Sequence, residues 1–196
     1  LNSLNFNIKN ISVSGLSNEN NSKITNDLNN LIEDNIFFIS KNLFSNVFKK
    51  YDLIHSFNVK KIYPNQINII IKQTEFLAIM NNSKDRFFIG SNGKLIKFVS
   101  LKKRLPNVFG VKNVNDFMEF KKILELSDFQ FDKISEFYRF PSGRWDIEIY
   151  SGVLIKLPKN EFKESLNLSF DILNDKNFKD IRIIDVRPKN QIIINE

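Results

Sequence analysis

His55 is the single histidine of the 196-residue chain, and cysteine is absent. A zinc site around one imidazole would have to take every other ligand from carboxylates, far from the usual nitrogen- and sulfur-rich sets. Thiolate catalysis and disulfides are excluded outright. A Ser-His-Asp arrangement needs a nucleophile elbow or an equivalent turn, and none supports one here. Asp128, Asp132, Glu136, Asp146 and Glu148 have the chemistry for general acid–base pairs. They sit among alternating strand residues, where charge is the expected filler of a solvent-facing side. Trp145, the sole tryptophan, reads as a large core residue. Asp185 and Arg187, two apart, share one strand face and read as a surface pair of little energetic weight. These residues call for no cofactor and no metal, and they make no case for an enzyme.

Composition narrows the classes further. A hydrophobic fraction of 42%, an aromatic fraction of 13% and 20 phenylalanines are those of a folded protein. The net charge of +7 comes mostly from scattered lysines. The longest basic cluster, Lys102-Lys103-Arg104, has neither an RNA-binding aromatic signature nor a glycine-rich phosphate loop beside it, which argues against nucleic acid. No run of about 18 apolar residues is present, so nothing in this stretch is expected to span a bilayer. The chain opens on Leu1 instead of methionine and reads as a fragment whose N-terminal part was removed.

The elements follow from periodicity. Residues 6–13 alternate as a strand closed by Ser14-Gly15. Ser22 or a nearby asparagine is expected to cap a helix with Ile24, Leu28, Leu31 and Ile32 on one face, ended near Asn35. Ser40 caps a second helix with Leu43, Phe44, Val47, Phe48 and Tyr51 inward. Two strands follow, one aligning His55, Phe57 and Val59, the other Ile67, Ile69 and Ile71, joined by a turn at Tyr63-Pro64-Asn65-Gln66. This β-α-α-β-β order closes a first domain over 1–75. In a second domain, 76–196, strands are expected at 77–80, 86–89 and 94–98, around Ser91-Asn92-Gly93. After a loop at 105–110 comes a helix with Phe117, Phe120, Ile123 and Leu124 inward. Further strands at 134–140, 145–150 and 153–157 precede a helix carrying Phe162, Leu166, Phe170 and Leu173. The fold class is α+β, the second domain an antiparallel sheet with flanking helices.

The chain closes on a hairpin, Ile181 to Val186, a turn at Pro188-Lys189-Asn190, then Gln191-Ile192-Ile193-Ile194-Asn195. A hairpin strand placed last tends to lie at a sheet edge, where unpaired backbone groups invite another chain. Three consecutive isoleucines put apolar side chains on both faces. One face can pack on the domain's core, and the other needs cover.

The order of these pieces resembles the FtsQ/DivIB family of bacterial cell-division proteins. The first domain resembles a POTRA domain, opened by "ISVSGL" and closed by "VKKIYPNQINI". In the second, "FFIGSNGKLI", "LPNVFG", "RWDIEIYSGVLIKLP" and "IIDVRPKNQIIIN" resemble successive family motifs, so the likeness covers nearly the whole chain. The joint at 73–78 lacks the family's arginine and proline, Gly90 stands where aspartate is common, and Asn190 and Asn195 also depart from the pattern. The resemblance implies a non-catalytic scaffold, single-pass in the inner membrane, with this fragment in the periplasm. It implies FtsB- and FtsL-like partners, other division proteins meeting the POTRA domain, and control of septal peptidoglycan synthesis. Carried over by position, the FtsB-like partner adds a strand along Asn190, Gln191, Ile192, Ile193 and Ile194, with Arg144 facing it. The alternative is a POTRA module of outer-membrane assembly or secretion, for which tandem repeats and barrel strands would be expected.

Overall fold

The computed structural model describes residues 5–32, 35–81, 85–97, 103–178, 180–189 and 191–195. The expectations placed on Phe98, Lys102 and Asn190 lie outside the described residues. Two compact units emerge, Leu1–Glu75 with Gly90–Asn92, and Phe76–Ile89 with Gly93–Glu196. Among the described residues, no helix is long and apolar enough to cross a membrane.

The first unit runs β1 (Asn10–Ser14), α1 (Asn18–Asn29), α2 (Lys41–Phe48), β2 (Ile54–Ile62) and β3 (Gln66–Gln73). Its sheet has the order β1-β3-β2, with β1 parallel and β2 antiparallel to β3. The period of two along β3 buries Ile67, Ile69 and Ile71 beneath the helices' Ile24, Leu28, Phe44 and Phe48. Helix α1 starts earlier than its sequence suggests. Ser17, not Ser22, is the cap, and its hydroxyl accepts from the Asn20 amide at 3.4 Å. The helix also ends early, at Asn29, so Leu31 falls beyond it and is exposed. A register shift between Ile54 and Ser56 leaves His55 as an extra residue on β2. Ile54 is therefore buried, whereas His55 is turned outward and leaves the face it was expected to share with Phe57 and Val59. Gly15 has φ +108, and a Cβ there would stand 1.8 Å from the Ile71 carbonyl oxygen, so the chain enters α1 only through glycine.

The second unit carries β4 (Phe76–Asn81), β5 (Arg86–Gly90), β6 (Leu95–Lys97), β7 (Asn107–Phe109), α3 (Val114–Glu125) and a 3-10 turn at Phe131–Lys133. Then come β8 (Ile134–Arg139), β9 (Trp145–Ile149), β10 (Leu154–Lys156), α4 (Phe162–Asn174), β11 (Ile183–Asp185) and β12 (Ile193–Asn195). Among the described residues these strands form one sheet, ordered β12-β11-β10-β9-β8-β7-β4-β5-β6. It is mixed. β7 lies parallel to both β4 and β8, and β11 parallel to β10. Parallel neighbours require a crossover, and α3 and α4 supply the β7–β8 and β10–β11 connections. The segment 105–110, which reads as loop, holds β7 in mid-sheet. Its three residues between Pro106 and Gly110 are too few to show a period. Gly110, at φ +73, is fixed by the 2.1 Å a Cβ would leave to the Arg139 carbonyl oxygen.

Both helices cover one face of this sheet. Phe117, Phe120 and Leu124 of α3 and Leu166 and Ile172 of α4 join the core row Val108, Phe137, Ile147, Ile155, Ile184. Trp145 is buried in the same core, stacked on Phe120 at 4.7 Å, as its size and isolation suggest.

Candidate partner-docking edge

β12 ends the sheet with β11 as its one neighbour among the described residues. The antiparallel register pairs Ile183 with Asn195, Ile184 with Ile194, and Asp185 with Ile193. The directions of the backbone groups follow from the flanking bonds. The Arg182 carbonyl accepts from Leu154, and the Val186 amide donates to Lys156, so Ile184 between them addresses β10. Ile183 and Asp185 therefore address β12, and Ile193 and Asn195 answer them. Just before β11 the Arg182 amide turns to the other side and donates to the Asn195 carbonyl at 2.9 Å, which shows that carbonyl facing β11. By alternation, the N–H and C=O of Ile194 point away from β11, to the open edge.

The side chains divide the other way. Ile194 is half-buried against the core beneath the helices. Ile193 and Ile192 are 48% and 40% exposed. The strand is shorter than its sequence suggests, because Gln191 and Ile192 precede it, and the Gln191 amide reaches the Pro188 carbonyl at 3.5 Å. Pro188 thus opens the turn instead of taking its second position. Beside this strand an open groove of about 850 Å³ runs between Lys159, Glu164 and Leu168 on one side and Arg187, Lys189 and Ile192 on the other.

The face away from α3 and α4 carries a charged row leading to that edge. Register places Tyr138, Asp146, Lys156, Asp185 and Ile193 side by side on successive strands. Asp185 is buried, and Arg187 forks onto it, with Nε 2.7 Å from Oδ1 and Nη2 bonded to Oδ2. The Arg187 amide adds a third bond to Oδ1 at 3.1 Å. These bonds hold the Asp185 carboxyl below its ordinary range against the opposing effect of burial. Asp146, also buried, is gripped the same way by Arg144, with Nε 3.1 Å from Oδ1. There burial prevails and raises the carboxyl, although Arg144 and Arg187 both favour its charge.

The expected docking residues are thus only partly gathered. Gln191, Ile192, Ile193 and Ile194 lie together at the edge, and Asn190 is not among the described residues. Arg144 lies at the start of β9, three strands inward, about 14 Å away by ordinary strand spacing. Its guanidinium is taken up by Asp146 and by the Phe140 ring at 4.0 Å. Asp146 and Asp185 are not the solvent-facing charges their alternation suggests. The signal was present in the sequence, because each has an arginine two residues away on its own face.

The other candidates disperse. Asp128 and Asp132 are exposed, on the chain after α3. Glu136 and Glu148 pair across β8 and β9, and both accept from the Tyr138 hydroxyl, whose pKa burial and the two carboxylates raise. His55 Nδ1 lies 3.2 Å from the Ser91 hydroxyl, itself engaged by Thr74 and by the Glu75 amide. Among the described residues no group of three or more His, Cys, Asp or Glu gathers to hold a metal.

Residues 6–73 match the POTRA domain, FtsQ-type, and residues 78–187 match the C-terminal region of cell division protein FtsQ/DivIB. The chain is 28% identical to cell division protein FtsQ of Rickettsia felis over 199 aligned positions, covering 98% of this chain and 73% of that protein. FtsQ of Rickettsia prowazekii is likewise 28% identical, with the same coverage. A solved structure, the major extracytoplasmic domain of the cell division protein DivIB from Geobacillus stearothermophilus, is 18% identical. It covers 55% of this chain and 99% of that one, with a TM-score of 0.39. With a POTRA unit followed by the matching C-terminal domain, the chain belongs to the FtsQ/DivIB family of cell division proteins.

Proposed function

We propose that this chain is a non-catalytic scaffold of the division machinery that receives a β-strand from an FtsB-like partner along β12. In this reading the protein is anchored in the inner membrane, with this part in the periplasm. It connects an FtsB–FtsL coiled-coil pair to control of septal peptidoglycan synthesis, while the POTRA unit meets other division proteins. The observation that carries the reading is the outward direction of the Ile194 N–H and C=O beside the exposed Ile192 and Ile193. An added strand takes affinity from those main-chain groups and specificity from alternate side chains. Ile193 then gains cover on the face the helices leave bare. The groove beside α4, which Glu161 and Glu164 also line, offers Lys159 and Lys189 to residues flanking the partner's strand. Arg144, by contrast, acts through Asp146 and the charged row, not as an edge contact.

Calorimetric titration with the periplasmic segment of the cognate FtsB-like protein tests this reading. Saturable binding by the wild type, lost in a folded Ile194→Pro variant, is expected. Equal binding by both proteins would move the partner to another surface.

A further inference from the structure

Four aromatic or apolar side chains in the POTRA unit are exposed where the sequence gives no reason for it. The Phe37 ring lies between Phe6 and Tyr63, with centroids 5.0 and 5.1 Å away. Phe37 and Tyr63 are 54% and 55% exposed, the neighbouring Phe38 is 83% exposed, and Ile62 is exposed beside Tyr63. Their position is fixed. Ile36 and Ile39, on either side of the two phenylalanines, are buried in the core. The Ile36 amide donates to the Phe6 carbonyl at 2.9 Å, and the Asn35 side chain and carbonyl accept from the amides of Phe37 and Phe38. The backbone is thereby held so that the rings turn outward.

The described segments that carry the patch bring lysines to it. Residues 5–16, 35–41 and 56–66, which carry the patch, contain Lys9, Lys41, Lys60 and Lys61 and no carboxylate. Glu33 and Asp34 precede the segment in sequence and lie outside the described residues. Aromatic rings, one with a polar tip, flanked by flexible cations are the chemistry of the water–bilayer boundary. An anionic bilayer would take both parts at once, the rings at the headgroup level and the exposed lysines at the phosphates.

We infer that Phe37 and Phe38, with Phe6 and Tyr63, form a membrane-contact surface that sets the POTRA unit against an anionic bilayer. The inference rests on the membrane-anchored reading above only to bring the bilayer near. Insertion of the rings would hold the unit at the headgroup level, with the exposed Lys9 and Lys60 near the phosphates.

The test uses this chain tethered through its N-terminus to phosphatidylcholine–phosphatidylglycerol vesicles, so that a bilayer is present whether or not β12 docks a partner. Phe38→Trp supplies the reporter, because the only native tryptophan, Trp145, is buried in the other unit. A blue shift of the new emission and its quenching by lipids brominated near the headgroups are expected. Both effects should weaken on purely zwitterionic vesicles and be lost when Phe37→Ser is added. Phe37→Trp serves as a second reporter where Phe38→Trp perturbs folding. Unchanged emission without bromolipid quenching from both reporters would overturn the inference. So would a shift that appears only on adding another division protein, which would make the patch a protein interface.

Discussion

Asp185 stands opposite Ile193 in the terminal ladder while its carboxylate is forked by Arg187 from beyond the end of its own strand. One buried acid therefore governs both the last strand pairing and the turn that returns the chain to it. The side chain of Asp185 bonds forward to the turn, and its backbone bonds across to β12.

Asp185→Asn is expected to cost about 1.5–3 kcal/mol, the range for hydrogen bonds to charged groups, read from denaturant unfolding. The hairpin should also lose stability in acid. The Asp185 carboxyl is held below its unfolded value near 4, so its contribution is complete above that pH and fades as pH falls through the lower folded value. Asp146, raised by burial, works the other way, because taking up its proton favours the folded sheet. Exchange of the β11 and β12 amides, expressed relative to the intrinsic rate of the unfolded chain at each pH, should rise in the wild type only below about pH 4. In Asp185→Asn that low-pH rise should be absent.

Two adjacent prolines should behave differently. Ile194→Pro removes a donor aimed at the open edge, so the domain keeps its own ladder while partner binding falls. Ile193→Pro removes the donor that faces β11, so the terminal hairpin itself opens. Protection of the Ile183 and Asp185 amides separates the two variants. It is retained in the first and lost in the second.

Gly15→Ala and Gly110→Ala each place a methyl about 2 Å from a carbonyl oxygen at positive φ. Each should destabilise its own unit by more than about 2 kcal/mol, seen as a lowered thermal midpoint. Alanine at Gly93, where nothing lies within 4 Å, should cost less, near the penalty for positive φ alone.

Phe120 lies against Trp145, Phe137 and Phe162. Phe120→Ala is expected to cost about 3–5 kcal/mol and to shift Trp145 emission to the red, since it strips the ring face that now excludes water.

Much of this architecture was legible because period and size carry it. The isoleucines at 67, 69 and 71 announce a half-buried strand, and the α2 stripe announces a helix on it. The β-α-α-β-β order survives even where α1 is misplaced at both ends by its run of asparagines, any of which suits a cap. What stayed hidden is non-local. Nothing near Val108 reveals that it sits between two parallel strands, because the partners at Met80 and Phe137 lie 28 and 29 residues away. A terminal edge strand could be placed near Gln191 to Ile194, but not the direction of each backbone group, which depends on how β11 bonds to β10. Asp146 and Asp185 each carried a cue in the arginine two residues away, but their alignment in one row comes only from the assembled sheet.

Between Arg187 and Ile192 the chain measures out a fixed length before pairing resumes. Strand faces alternate with a period of two, so inserting or deleting one residue in that turn would exchange the roles of Ile193 and Ile194. The half-buried isoleucine would swing to the bare side, its exposed neighbour would meet the core, and the groups now offered at the rim would be consumed internally. Turn length is therefore a parity switch for the whole edge, and natural variation there should come in steps of two or be compensated by a bulge.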